Sequence, residues 1–137
     1  MLGLFKKKKT AQAKILIVDD EPDVVSTVQY HLKSFEFEVV TANCGKDGLE
    51  QAEAERPDLI LLDITMPVMD GYEMLERLRN HPDLKDIPVI MLTACGELRN
   101  VTIAAGLGIA DYVTKPFDFV ELREKISNAL ENRNGNM

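Results

Sequence analysis

The chain has 137 residues, 45% of them hydrophobic, with two cysteines and a formal net charge of −7. That suits one domain with its own core and excludes reliance on a disulfide framework or zinc cluster, since Cys44 and Cys95 stand far apart with no CxxC or Cys/His grouping. Without the four lysines at 6–9 the remainder carries −11, a balance that argues against direct nucleic-acid binding, whose strength comes from neutralising phosphates, and for cation binding.

Residues 1–13 read as a flexible basic tail. Leu2, Leu4 and Phe5 beside Lys6 to Lys9 form too short an apolar patch for more than marginal membrane attachment, so a membrane partner is not expected. No apolar run approaches a membrane span. The apolar residues also precede the lysines, the reverse of a secretory signal, and the expected location is the cytoplasm.

The run from Lys14 to Val18 is a strand by composition and ends in Asp19-Asp20. Pro22 then opens a helix carrying Val25, Val28, Leu32 and Phe35 at helical spacing. Residues 37–41 read as a second strand and 45–55 as a helix with Leu49 and Ala52 inward. Leu59-Ile60-Leu61-Leu62 is an unbroken apolar run, the mark of a strand covered on both faces, and it ends in Asp63. A turn marked by Pro67 and Asp70-Gly71 follows. Residues 71–80 read as a helix with Met74, Leu75 and Leu78 on one face, and 88–92 as a fourth strand ending at Thr93. A weaker helix is expected over 97–107 and a short fifth strand over 110–113, followed by Thr114-Lys115-Pro116. Asp118 and Glu121 form a capping pair for a last helix with Phe119, Leu122, Ile126 and Ala129 inward. One folded unit over 14–131 and a disordered polar end over 132–137 complete the expected organisation.

Strict alternation of strands and helices predicts an α/β fold, a five-stranded parallel sheet of flavodoxin-like type with helices on both faces. Right-handed crossovers favour the doubly wound order 2-1-3-4-5, with a ligand site at the carboxyl edge between strands one and three. That edge receives Asp19, Asp20, Asp63, Thr93 and Lys115. Crowded carboxylates repel unless something compensates, and three oxygens plus waters suit Mg²⁺.

Four stretches resemble the response-regulator receiver domain of two-component signalling, including its stand-alone chemotaxis-regulator form. They are Ile17-Val18-Asp19-Asp20-Glu21, the run from Asp63 to Gly71, Leu92-Thr93-Ala94, and Asp111 to Phe117. The resemblance spans about 14–130. It implies that Asp63 takes a phosphoryl group from a histidine kinase or histidine phosphotransfer protein and becomes an aspartyl phosphate. It implies that Asp20, Asp63 and the Thr65 backbone carbonyl ligate Mg²⁺, with Asp19 reaching it through water. Lys115 and Thr93 are then partners of the phosphoryl oxygens, and Tyr112 is the switch aromatic. The Lys115-Pro116 bond is implied to be cis. The signal would leave through the face of the helix over 97–107, the fifth strand and the last helix, toward a downstream protein target, with phosphorylation-dependent dimerisation as one output. Such a domain is a signalling phosphoacceptor rather than an enzyme. The positions that tune phosphoryl lifetime in this family are here Thr65 and Cys95, both short, and they set no lifetime on sight.

Three other readings fit the residues less well. An aspartyl-nucleophile phosphohydrolase of the haloacid-dehalogenase kind needs Asp-x-Asp after its first strand, which is absent here. A flavin module needs a Ser/Thr/Gly-rich phosphate loop where this chain has Asp-Asp-Glu. A pure interaction module would not need all five polar residues.

Overall fold

The computed structural model describes residues 12–94 and 106–133. The tail through residue 11, Cys95, most of the helix expected over 97–107, and the end from 134 lie outside the described residues. The described elements are β1 (Lys14–Val18), α1 (Pro22–Ser34), β2 (Glu38–Ala42), α2 (Gly45–Glu55), β3 (Leu59–Asp63), α3 (Gly71–Arg79), β4 (Val89–Thr93), β5 (Asp111–Thr114) and α4 (Phe119–Arg133). All strands pair in parallel, in the order β2-β1-β3-β4-β5.

The alternation of strand side chains divides the core in two. Leu16, Val18, Ile60, Leu62 and Met91 pack with Ala52 of α2 and Met74, Leu75 and Leu78 of α3. Ile15, Ile17, Leu59, Leu61, Ile90 and Leu92 pack with Val28 and Leu32 of α1 and with Leu122, Ile126 and Ala129 of α4. All five residues of β3 are buried, which is why its sequence shows no polar alternation. Each fully buried Leu or Ile contributes on the order of 1.5–3 kcal/mol, so the central strands anchor the sheet.

Several boundaries shift from the sequence reading. Phe37 donates its N–H to the Leu32 carbonyl, closing α1, so β2 starts one residue later than expected. Residues 106–108 form a turn, not the last residues of a helix. The Arg79 guanidinium fixes that turn by donating to the Leu107 and Gly108 carbonyls at 3.0 and 3.2 Å, and Gly108 takes a left-handed φ of 80°. At the far end, α4 runs on through Asn132 to Arg133, two residues that the sequence reading assigned to a disordered end. Arg133 Nη1 reaches Asp58 Oδ1 at 2.6 Å and ties the helix to the entry of β3. The Asp118 carboxylate accepts from the N–H groups of Val120 and Glu121 at 3.0 and 3.2 Å, as expected of a helix cap.

Gly71 shows why the Asp70-Gly71 pair follows the central strand. Its N–H donates to the Ile64 carbonyl at 2.8 Å. A Cβ there would collide with the Asp63 carbonyl oxygen and lie 2.8 Å from Ile64 Cα. The start of α3 is therefore in backbone contact with the loop that carries Asp63.

Candidate functional site

The site is assembled by backbone pairing at the carboxyl edge of the sheet. Asp19 N–H donates to Ala42 O at 3.2 Å, Ile64 N–H to Leu92 O at 3.1 Å, and Lys115 N–H to Thr93 O at 2.8 Å. These bonds extend the ladders one step past the strands and set Asp19, Asp63, Thr93 and Lys115 side by side. The Lys115-Pro116 peptide that follows is cis.

Lys115 Nζ is the hub. It lies 3.2 Å from Asp19 Oδ2, 3.0 Å from Glu21 Oε1 and 3.4 Å from Asp63 Oδ1. Asp19 is fully buried and Asp63 nearly so. Asp19 Oδ1 accepts from the Glu21 N–H at 2.9 Å. Its Oδ2 faces the ammonium as one half of an ion pair and accepts no other polar contact. Asp63 Oδ1 also accepts from the Thr65 N–H at 3.4 Å. Asp19, Asp20 and Asp63 each offer an oxygen within 4.8 Å of the others.

The electrostatics follow from this crowding. Burial and the neighbouring Asp19 carboxylate push the Asp63 carboxyl up to about 7, against the pull of Lys115 and of the Thr65 N–H. Burial lowers the Lys115 ammonium, but Glu21, Asp63 and Asp19 outweigh it and hold it above its ordinary value. Lys115 therefore stays charged, while the second and third carboxylates lack full compensation. Three converging carboxylates, one of them with a buried oxygen that accepts no hydrogen bond, are a donor set suited to a hard divalent cation.

Each predicted site residue has a definite place. Asp20, Asp63, Thr65 and Lys115 line one pocket with Glu21 and Ala94. Thr93 is buried at the end of β4, and its hydroxyl donates to the Ala94 carbonyl at 3.1 Å. Tyr112 is partly buried on β5, in register with Met91, while Thr93 is in register with Thr114. Met91 and Thr93 share a face of β4, so Tyr112 and Thr93 stand on the same face of the sheet, two residues apart in register. Lys125 Nζ donates to the Tyr112 carbonyl at 2.7 Å and lies 5.2 Å from its ring centroid. Sequence reasoning gave no role to Glu21. The available signal was a third acid in Asp-Asp-Glu, one residue before the Pro22 that fixes its backbone.

The fold and the acid–lysine pocket define a class: a doubly wound parallel sheet of CheY-like form. The chain belongs to the response regulator receiver domain family, whose family model matches residues 15–127. It is 40% identical over 117 residues to the alkaline phosphatase synthesis transcriptional regulatory protein PhoP of Bacillus subtilis, covering 85% of this chain and 48% of PhoP. It is 38% identical over 117 residues to the DNA-binding dual master transcriptional regulator RpaA of Synechocystis, covering 85% of this chain and 48% of RpaA. The chain thus spans about half the length of the curated relatives it matches. Among solved structures it resembles a CheY-like receiver domain protein from Methanospirillum hungatei, with a TM-score of 0.85, 30% identity, and 93% and 100% of the two chains covered. The Vibrio cholerae chemotaxis protein CheY4 gives 0.82 and 31% identity, with 87% and 99% covered. Among the described residues no helix is long and apolar enough to cross a membrane.

Proposed function

We propose that residues 14–131 act as a cytoplasmic phosphoacceptor unit in which Asp63 receives a phosphoryl group from a histidine kinase or histidine phosphotransfer protein. The observation that carries this reading is the convergence of a nearly buried Asp63 with Asp19, Asp20 and the Lys115 ammonium. An Asp63 carboxylate oxygen attacks the phosphorus of a phosphohistidine. The P–N bond breaks and its electron pair returns to the imidazole nitrogen. Phosphoryl transfer asks the protein chiefly for positioning and for charge on the transferring oxygens. Lys115 supplies an ammonium and Thr93 a hydroxyl donor. Asp20, Asp63 and the Thr65 carbonyl would hold Mg²⁺, with Asp19 reaching it through water. Bound there, the ion would add positive charge beside the transferring oxygens. Incubation with acetyl phosphate and Mg²⁺, read by intact mass, tests the acceptor role directly.

Metal binding is testable without phosphorylation. A ligand that binds only the folded state stabilises it by mass action, by about 2.7 kcal/mol at a hundredfold excess over Kd. Millimolar Mg²⁺ at constant ionic strength is expected to raise the melting temperature by several degrees. Asp20→Asn is expected to remove most of that rise. An equal rise in the variant, measured by calorimetry, would place the ion elsewhere.

The output step rests on Thr93 and Tyr112. Drawing the Thr93 hydroxyl from Ala94 toward a phosphoryl oxygen vacates space on the face that Tyr112 shares. A close-packed interior favours discrete rearrangement, so the Tyr112 ring would move inward as one rotamer step. The altered face would include β5 and α4, and would meet a downstream protein or a second copy. NMR with beryllofluoride, a phosphoryl mimic, is expected to shift resonances of Tyr112 and Lys125 as well as those of the loops around Asp63. Shifts confined to the Asp63 loops would refute this step and leave the acceptor chemistry standing.

A further inference from the structure

Glu21 takes no part in the steps above, yet it makes the shortest contact to Lys115, with Oε1 3.0 Å from Nζ. It is the N-cap residue of α1, with extended backbone, but its side chain makes no capping bond. It reaches instead across the mouth of the site to the end of β5, 94 residues away in the chain. Its backbone is pinned, because its N–H is held by Asp19 Oδ1 and Pro22 follows. Its side chain is 59% exposed, against 0% for Asp19 and 5% for Asp63.

Three carboxylates surround the ammonium, and it donates hydrogen bonds to two of them, Glu21 and Asp63. A phosphoryl group on Asp63 must claim some of that donor capacity. Asp19 cannot move aside, being buried and fixed by the Glu21 N–H. Asp63 is the group being modified. Glu21 is the partner that can let go, because an exposed ion pair is worth little and its side chain can swing into water.

We propose that Glu21 is a latch on Lys115: it holds the ammonium toward the mouth of the site while Asp63 carries no phosphoryl group, and phosphoryl oxygens must displace it. Glu21 is thus a positioning residue, acting through Lys115 on how readily the phosphorylated state forms. The inference rests on the acceptor reading of Asp63. Of the contacts that raise Lys115, the hydrogen bond it donates to Glu21 is the largest, in keeping with a closed latch.

The test is beryllofluoride affinity at saturating Mg²⁺, followed by NMR, for the wild type, Glu21→Gln and Glu21→Asp. Mg²⁺ affinity is measured separately for each. The Asp variant keeps the charge but shortens the side chain by one methylene, so it opens the latch without removing the anion. Both variants are expected to bind the mimic roughly three- to tenfold more tightly than the wild type, in keeping with the modest worth of one exposed ion pair. An Asp variant that matches the wild type overturns the latch, whether or not the Gln variant binds more tightly, since charge alone would then be at work. Unchanged affinity in both variants also overturns it. A wild-type protein that takes up no beryllofluoride overturns the acceptor reading, and the latch with it.

Discussion

Asp63→Asn is expected to abolish phosphoryl uptake and, in metal-free buffer near pH 8, to make the protein more stable. The first effect follows from chemistry. An amide oxygen is a poor nucleophile toward phosphorus, and among the described residues Asp63 is the carboxylate that meets both Lys115 and the Thr65 N–H. Intact mass after acetyl phosphate treatment is expected to show one added phosphoryl group in the wild type and none in the variant. Label persisting in the variant would move the acceptor elsewhere. The second effect follows from linkage. The Asp63 carboxyl is raised to about 7 from an ordinary 3.8. Between those values the folded state binds more protons than the unfolded one, so metal-free stability falls as pH rises through that window and stays low above it. Asn removes the cost. The gain is expected to be on the order of 2 kcal/mol at pH 8 and to vanish near pH 4, where the carboxyl is protonated in the folded state. Urea melts of both proteins at the two pH values, in chelator, check the sign. A variant less stable than the wild type at pH 8 would mean that the site does not strain against its own charge.

Burial, more than charge, decides which parts of the molecule could be read from the chain. The five-stranded order was legible because strand burial leaves a direct record: Leu59 to Leu62 are apolar without a break, and both faces of that strand are covered. The helix stripes were legible for the same reason, as Val28 and Leu32 or Met74, Leu75 and Leu78 show. Asp19, Asp20, Asp63, Thr93 and Lys115 could be gathered because topology alone brings strand ends to one edge. Less legible were features set by contacts between distant backbone groups. The turn at 106–108 is hinted at by Gly106 and Gly108, but its place depends on the Arg79 guanidinium finding carbonyls some 28 residues away. The last turn of α4 depends on Arg133 meeting Asp58, a pairing of 75 residues' separation. Glu21 was hidden differently. It looks like an ordinary acidic residue at a helix start, where the helix dipole welcomes a negative charge. Only the position of Lys115 shows that its side chain points elsewhere.

Lys115→Ala is expected to have the opposite stability effect from Asp63→Asn while also crippling the response. The ammonium lies within 3.4 Å of three carboxylates, one of them fully buried. Removing it leaves Asp19 and Asp63 without a counter-charge, and breaking a buried ion pair from one side costs on the order of 3 kcal/mol. Lys115 is raised above its ordinary value, so its stabilising effect is present in full throughout the pH range below that ordinary value and is lost only in strong alkali. The penalty in chelator is therefore expected to persist at pH 8. It should shrink toward pH 5, where Asp63 becomes neutral and one of the stranded charges disappears. Mg²⁺ is expected to restore much of the loss, because the acidic ligands Asp19, Asp20 and Asp63 are intact and a divalent cation can replace the missing charge. The response is a separate matter. A phosphoryl group on Asp63 in this variant would lack the ammonium that couples it to β5, since Lys115 directly follows Thr114, and Tyr112 stands two residues before Thr114. Beryllofluoride is expected to perturb the Asp63 loops but to leave Tyr112 and Lys125 close to their unliganded shifts. A full Tyr112 shift in Lys115→Ala would mean that the signal travels through Thr93 alone, with Lys115 confined to balancing charge.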